Sequence, residues 1–225
     1  MLGILLVAAS AGLWYYYYKT KTACDDEYQQ KEEYFRKHNC VVTYSKIHGV
    51  TGWPGFENDT TLISCNNCHD TFLPLLYFLS TTQETLDIAM MTLSSNVILS
   101  ALFDLAKKGI KLRLVINYDQ MLKKRLIKEF IKYGAEVVIY AGKNDLSSIL
   151  HYKYAIKDYN SISKAMCCGS LNWTNTAFLN NYESITFTTN ESIVDEFYKN
   201  FVESYNYVKN LMETDPYLPV LDLLS

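Results

Sequence analysis

The sequence predicts an α/β domain, a mixed β-sheet flanked by helices on both faces. Three observations lead there. From Val41 onward, short apolar runs alternate with longer amphipathic segments. Gly109 and Gly134 follow two of those segments directly, where a helix C-terminus calls for a residue that tolerates positive φ. The composition is 49% hydrophobic and 20% charged with nine Gly and four Pro, which excludes a disordered, collagen-like or low-complexity chain of 225 residues.

Each element follows from its own pattern. Val41 to Ile47 reads as a strand, and residues 48–64 as a loop punctuated by Gly and Pro. Phe72 to Ser80 is an apolar helix and Thr85 to Thr92 a buried strand. Val97 to Lys108 is an amphipathic helix, and Lys111 to Asn117 alternates as a strand does. Met121 to Tyr133 is helical, and Ala135 to Tyr140 a strand. Two more strands, Tyr152 to Lys157 and Lys164 to Cys168, precede a short helix after Trp173. Glu183 to Thr188 is a strand, and Ser192 to Met212 a long amphipathic helix. The folded domain thus spans 41–212, and 213–225 is a tail.

Ahead of the domain, residues 1–18 carry no charged side chain and end in Trp14 and Tyr15 to Tyr18, followed by Lys19 and Lys21. Eighteen helical residues rise ~27 Å, enough for a thin bilayer, with an aromatic belt and a positive flank that keeps the domain in the cytosol. A transmembrane anchor is the expectation. A cleaved signal peptide is the competing reading, because Ala9-Ser10-Ala11 resembles a cleavage site. Residues 19–40 are a polar linker or helix. Six Cys are too few and too irregular for a secreted disulfide scaffold, which also points to a cytosol-facing domain.

The formal charge of −3 argues against a nucleic-acid binder when averaged over the chain. The average conceals a segment. Residues 104–132 hold nine basic residues against three acidic ones, a net +6 that leaves −9 on the remainder. Two readings stand for that run, a solvated helix face and a phosphate-binding surface.

The chemistry concentrates later in the chain. His151 and Lys153 lie two apart in an apparent strand, so both face one side. Gly169-Ser170-Leu171-Asn172 closes the neighbouring strand and opens the short helix at Trp173, where Ser and Asn side chains and free N–H groups make an anion cradle. Imidazole, ammonium and amide donors converging on one point suit a phosphate and its developing charge. A carboxylate such as Glu183 can hold one imidazole nitrogen and fix the tautomer.

The order His151-x-Lys153-x4-Asp158, then Gly169-Ser170-x-Asn172, resembles the phospholipase D superfamily. GSLNWT at 169–174, Asn180-Asn181-x-Glu183, and the stretch 84–121 are similar to its Zucchini or mitochondrial cardiolipin hydrolase branch, and the resemblance covers Val41 to Met212. Ten residues separate Asp158 from Gly169, longer than the family spacing, so the hairpin tip from Tyr159 to Ser163 is expected to be extended. Leu150 stands where some members carry a second His.

The resemblance implies a homodimer, because only one H-x-K motif is present and superfamily enzymes use two. It implies catalysis by His151, Lys153, Asn172 and Glu183, phosphate binding by Lys153, Ser170 and Asn172, and structural roles for Asp158 and Gly169. It implies no cofactor for catalysis. It also implies a structural zinc near 40–69, for which Cys65, Cys68, His69 and His48 are candidates, with Cys40 an alternative to His48. Ordinary reduced cysteines are the other reading of that set. The implied substrates are single-stranded RNA, in piRNA biogenesis at the outer mitochondrial membrane, or cardiolipin of that membrane.

Overall fold

The computed structural model describes residues 2–57, 60–61, 69–118, 124–142 and 148–214, with side chains from Tyr15 onward. The chain divides into two compact units, 1–36 and 37–225.

The first unit is helix α1 (Leu2–Lys37) up to Arg36, so residues 2–37, which hold the expected anchor and most of its polar linker, are one helix without a break. A Lys31–Glu27 pair at 2.6 Å supports its exposed polar half. Among the described residues no helix is long and apolar enough to cross a membrane. The side chains of 1–14, most of the expected anchor, lie outside the description.

The second unit is built on a mixed sheet of nine strands among the described residues, in the order β3-β2-β1-β9-β8-β7-β4-β5-β6. The strands are β1 (Cys40–Ser45), β2 (Gly49–Thr51), β3 (Thr60–Thr61), β4 (Thr85–Met90), β5 (Lys111–Asn117), β6 (Glu136–Tyr140), β7 (Lys153–Lys157), β8 (Ala165–Gly169) and β9 (Glu183–Thr188). Only β4, β5 and β6 pair in parallel. They are apolar almost throughout because both faces are covered. The remaining pairs are antiparallel.

Helices α2 (Leu73–Ser80), α3 (Asn96–Lys107), α4 (Lys124–Lys132) and α5 (Asn175–Asn180) pack on one face through Leu75, Phe78, Leu102, Phe130 and Phe178. Helix α6 (Glu191–Thr214) covers the other face with Val194, Phe201, Tyr205 and Val208 against Ala89, Val115 and Ile156. Residues alternate between the two cores along each strand, as the pleat requires.

Four details differ from the sequence expectation. The loop 48–64 contains β2 and β3, which extend the sheet beyond β1, because Gly49 takes φ 78° and turns the chain back after Ser45. A single 3-10 turn, Asp70–Phe72, precedes α2. Thr174 rather than Trp173 opens α5, its hydroxyl accepting from Ala177 N at 3.1 Å. His151 stands just before β7 rather than within it, although Met91 N donates to Tyr152 O at 2.7 Å and extends the β4–β7 pairing.

Candidate active site

The topology brings the site together. Strands β7, β8 and β9 are adjacent and antiparallel, with Tyr154 opposite Cys168 and Gly169 opposite Ile185. The start of β7, the end of β8 and the start of β9 therefore share one edge. That edge presents His151, Lys153, Ser170 and Glu183, which come from three separate stretches of the sequence. The C-terminal ends of the parallel strands β4 and β5 meet it, and Asn117 at the end of β5 accepts from Leu150 N at 2.9 Å. Asn117 is buried, so this bond sets the backbone immediately before His151.

Lys153 Nζ lies 3.3 Å from His151 Nε2 and 3.4 Å from Nδ1, and donates to the His151 carbonyl at 2.9 Å. Its other near neighbour is Met91 Sδ at 3.7 Å. Partial burial pulls the Lys153 ammonium below its ordinary value, and the Glu183 carboxylate opposes that pull. An ammonium and an imidazole at this separation can address two atoms of one phosphodiester.

The cradle is built differently from the expectation. Ser170 N donates to Ser184 O at 3.0 Å, Trp173 N to Thr92 O at 3.0 Å, and Thr174 N to Asn172 O at 2.9 Å. These backbone donors are spent on holding the loop. The Ser170 hydroxyl donates to Glu183 Oε2 and accepts from Ser184 N at 3.1 Å, so Ser170 is committed to Glu183 rather than offered to a phosphate. Asn181 Nδ2 donates to Glu183 Oε1 at 2.9 Å. Both Glu183 oxygens thus have partners within the chain. Ser94 N and Ser95 N donate to Trp173 O at 3.0 Å, which stitches the loop after β8 to the loop after β4. Beside that stitch, Asn172 Oδ1 is buried with no partner among the described residues. A buried acceptor left open in this way calls for a donor.

Asp158, whose carboxylate belongs to the same motif, sits just past the opposite end of β7, five residues or ~17 Å along the strand from Lys153. Gly169 lies against β9, where a Cβ would meet Ser184 O at 2.1 Å.

The basic segment does not form one surface at this edge. Strand β5 runs from Lys111 to Asn117, so Lys111 lies ~20 Å from the site end of the sheet. Lys107 and Lys108 at the end of α3, and Lys132 at the end of α4, belong to that same remote edge. Arg113 is clamped by Asp87, with 2.6 and 2.7 Å bonds. Of the two readings of the run, a single phosphate-binding surface at this edge does not fit Lys107, Lys108, Lys111, Lys132 or the clamped Arg113.

Of the zinc candidates, Cys65 and Cys68 lie outside the described residues. His48, on the β1–β2 turn, and His69 are exposed. Burial pushes the Cys40 thiol up to about 11, and its Sγ donates to the Lys37 carbonyl at 3.7 Å. Among the described residues no three His, Cys, Asp or Glu side chains gather as a metal cluster.

Sequence reasoning missed Asn117, whose single apolar-strand context carries no signal. It also missed the role of Asn181, although the Asn180-Asn181-x-Glu183 spacing was visible.

Residues 75–205 match the family described as "Cardiolipin synthase, PLD-like domain", more than half of the chain. Proteins named mitochondrial cardiolipin hydrolase from Chlamydomonas reinhardtii and Xenopus laevis are 26% and 31% identical over 60% and 58% of this chain. The matches span 57% and 59% of those relatives, so the chain aligns with less than two thirds of their length. Among solved structures, NucT from Helicobacter pylori shares the fold with a TM-score of 0.51 at 25% identity, over 62% of this chain and 92% of its own. Nuc from Salmonella typhimurium, a phospholipase D family member, shares it with a TM-score of 0.50 at 18% identity, over 60% and 86%. On the family match across the strands that carry the His151 edge, this chain belongs to the PLD-like domain family of the cardiolipin synthase type.

Proposed function

We propose that this chain is a metal-independent phosphodiesterase that acts as a homodimer on single-stranded RNA. The observation that carries the reaction class is the His151–Lys153 pair at the edge where Asn172 and the Ser170–Glu183–Asn181 set also meet. One protomer supplies half a site, and two copies related by a two-fold axis supply two imidazoles and two ammoniums. His151 attacks phosphorus, a P–N bond forms and the P–O bond to the leaving nucleoside breaks. The leaving oxygen takes a proton from the partner's His151, which then removes a proton from water as that water attacks the phosphohistidine. The P–N bond breaks and a phosphate end is released, a 5′ phosphate when the leaving oxygen is the 3′ one. Lys153 neutralises the phosphoryl oxygens, Asn172 donates to them from Nδ2, and Glu183, held by Ser170 and Asn181, orients the histidines across the dimer.

The choice of RNA rests on the tyrosine-lined surroundings of His151, and the setting we infer is piRNA processing at the mitochondrial surface, with the N-terminal helix as a single-pass anchor and the domain in the cytosol. The relatives' name, mitochondrial cardiolipin hydrolase, favours a second reading in which the same chemistry releases phosphatidic acid from cardiolipin. A metal-free assay on end-labelled single-stranded RNA and on cardiolipin vesicles separates the two. The RNA reading expects cleavage that survives EDTA and falls by at least about a thousandfold in His151→Asn. Lipid turnover without RNA cleavage overturns it.

A further inference from the structure

A cavity of about 520 Å³ opens beside His151, between the approach to β7 and helix α6. Its floor is Leu150 and Val208, which are 7% and 2% exposed and offer little surface. Its accessible walls are the rings of Tyr152 and Tyr207, 39% and 59% exposed, together with Ile149. Tyr140 and Ser204 complete the rim.

The Tyr152 wall is preorganised and carries a polar edge. Asn200 Nδ2 donates to the Tyr152 hydroxyl at 3.2 Å, while Asn200 Oδ1 accepts from Tyr154 at 2.9 Å. The Tyr154 ring meets Tyr152 edge-on at 5.3 Å. Tyr152 is therefore locked before any ligand arrives, which reduces the entropy that binding must give up. The Tyr140 hydroxyl and Ser148 Oγ lie 2.7 Å apart at the rim.

We propose that this cavity receives a nucleobase next to the scissile phosphate, stacked on Tyr207 and Tyr152. His151 lines the same cavity, so its occupant is a group attached to the phosphorus under attack. A flat heterocycle matches exposed aromatic faces bordered by hydroxyls, and its polar edges replace the water those hydroxyls lose. An acyl chain would strip the same hydroxyls of water and return no hydrogen bonds. The inference rests on the RNA reading and sharpens it, because it makes Tyr207 a residue that selects the substrate class.

The test is equilibrium binding in the full chain carrying His151→Asn, which removes turnover, read by the anisotropy of a labelled single-stranded RNA. In that background Tyr207→Ala and Tyr207→Leu should each weaken binding about tenfold, the size of one base–aromatic stack, while Tyr207→Phe stays close to the parent. With a base-free oligomer of equal length the dependence on Tyr207 should vanish. Unchanged thermal midpoints would show that the exposed substitutions leave the fold intact. RNA binding that is indifferent to Tyr207→Ala overturns the pocket, and the RNA reading then stands or falls on RNA cleavage in the metal-free assay. Absence of RNA binding overturns both. Parent-like behaviour of Tyr207→Leu, with cardiolipin vesicles displacing the RNA, overturns the pocket in favour of an acyl-chain site.

Discussion

Asp158 shows how one carboxylate organises the domain away from the chemistry. It occupies the turn after β7 at φ 51°, a conformation that Asp tolerates better than most residues. Its buried Oδ1 and Oδ2 accept from the consecutive N–H groups of Gln83, Glu84 and Thr85 at 2.7–3.2 Å, tying β7 to the turn that launches β4. Asp158→Ala should leave three donors without partners and cost about 3 kcal/mol in a denaturant titration. Cleavage per folded molecule should be nearly unchanged, since the residue is at the far end of β7. Beside it, Lys157 is fully buried and donates to Thr81 Oγ1 at 2.6 Å. Burial pulls its ammonium down to about 7, with the Asp158 carboxylate opposing. The unfolded chain keeps that proton up to the ordinary 10.5. Between the two values the unfolded state binds more protons, so stability rises with pH. Below about pH 7 both states are protonated and this slope disappears. Unfolding free energies from urea titrations should therefore climb from about pH 7 to 9 by an amount on the order of 2 kcal/mol, and Lys157→Met should flatten the climb.

At the level of elements, the β8–β9 contact decides whether the site exists. Gly169 is there because Ser184 O and Ile185 Cα occupy the space of a side chain, at 2.1 and 2.9 Å from a built Cβ. Gly169→Ala must push the strands apart, at about 2 kcal/mol or more. It should also lower the cleavage rate, because Ser170 on one strand holds Glu183 on the other. Parallel measurement of the unfolding midpoint and the rate distinguishes this from simple loss of fold. The extended hairpin between β7 and β8 is secured in a comparable way. Tyr159 stacks on Tyr198 at 3.5 Å, and Lys164 pairs with Glu191 and Asp195 at 2.7 and 3.3 Å on α6. These elements were largely legible in the residues: β5 and β9 have the boundaries their patterns predict. The start of α5 lies one residue beyond an opening at Trp173, because the Thr174 hydroxyl caps Ala177 N.

For the whole molecule, the decisive consequence is stoichiometric. If both copies of His151 are needed at one site, activity follows the fraction of dimers with two intact chains. An equal mixture of wild type and His151→Asn, exchanged to equilibrium, should retain about a quarter of the activity of the same total amount of wild type. Retention of about half would mean that each chain works alone. Charge is also settled at this scale. Lys107, Lys108, Lys111 and Lys132 are close in sequence to residues that reach the site, yet the direction of β5 and the helix ends place them at the other edge of the sheet.

Residue order alone carried the α/β architecture and the spacing of His151, Lys153 and Asp158, because periodicity and spacing are local properties that a chain displays before it folds. The commitment of Ser170 to Glu183, the open amide of Asn172, the burial of Lys157 and the division of the basic run emerged only in the tertiary structure. Hydrogen-bond partners and distances across a sheet depend on which strands are neighbours and in what register. Those pairings join residues up to 150 positions apart, as Asn39 and Thr189 are, and no local pattern encodes them.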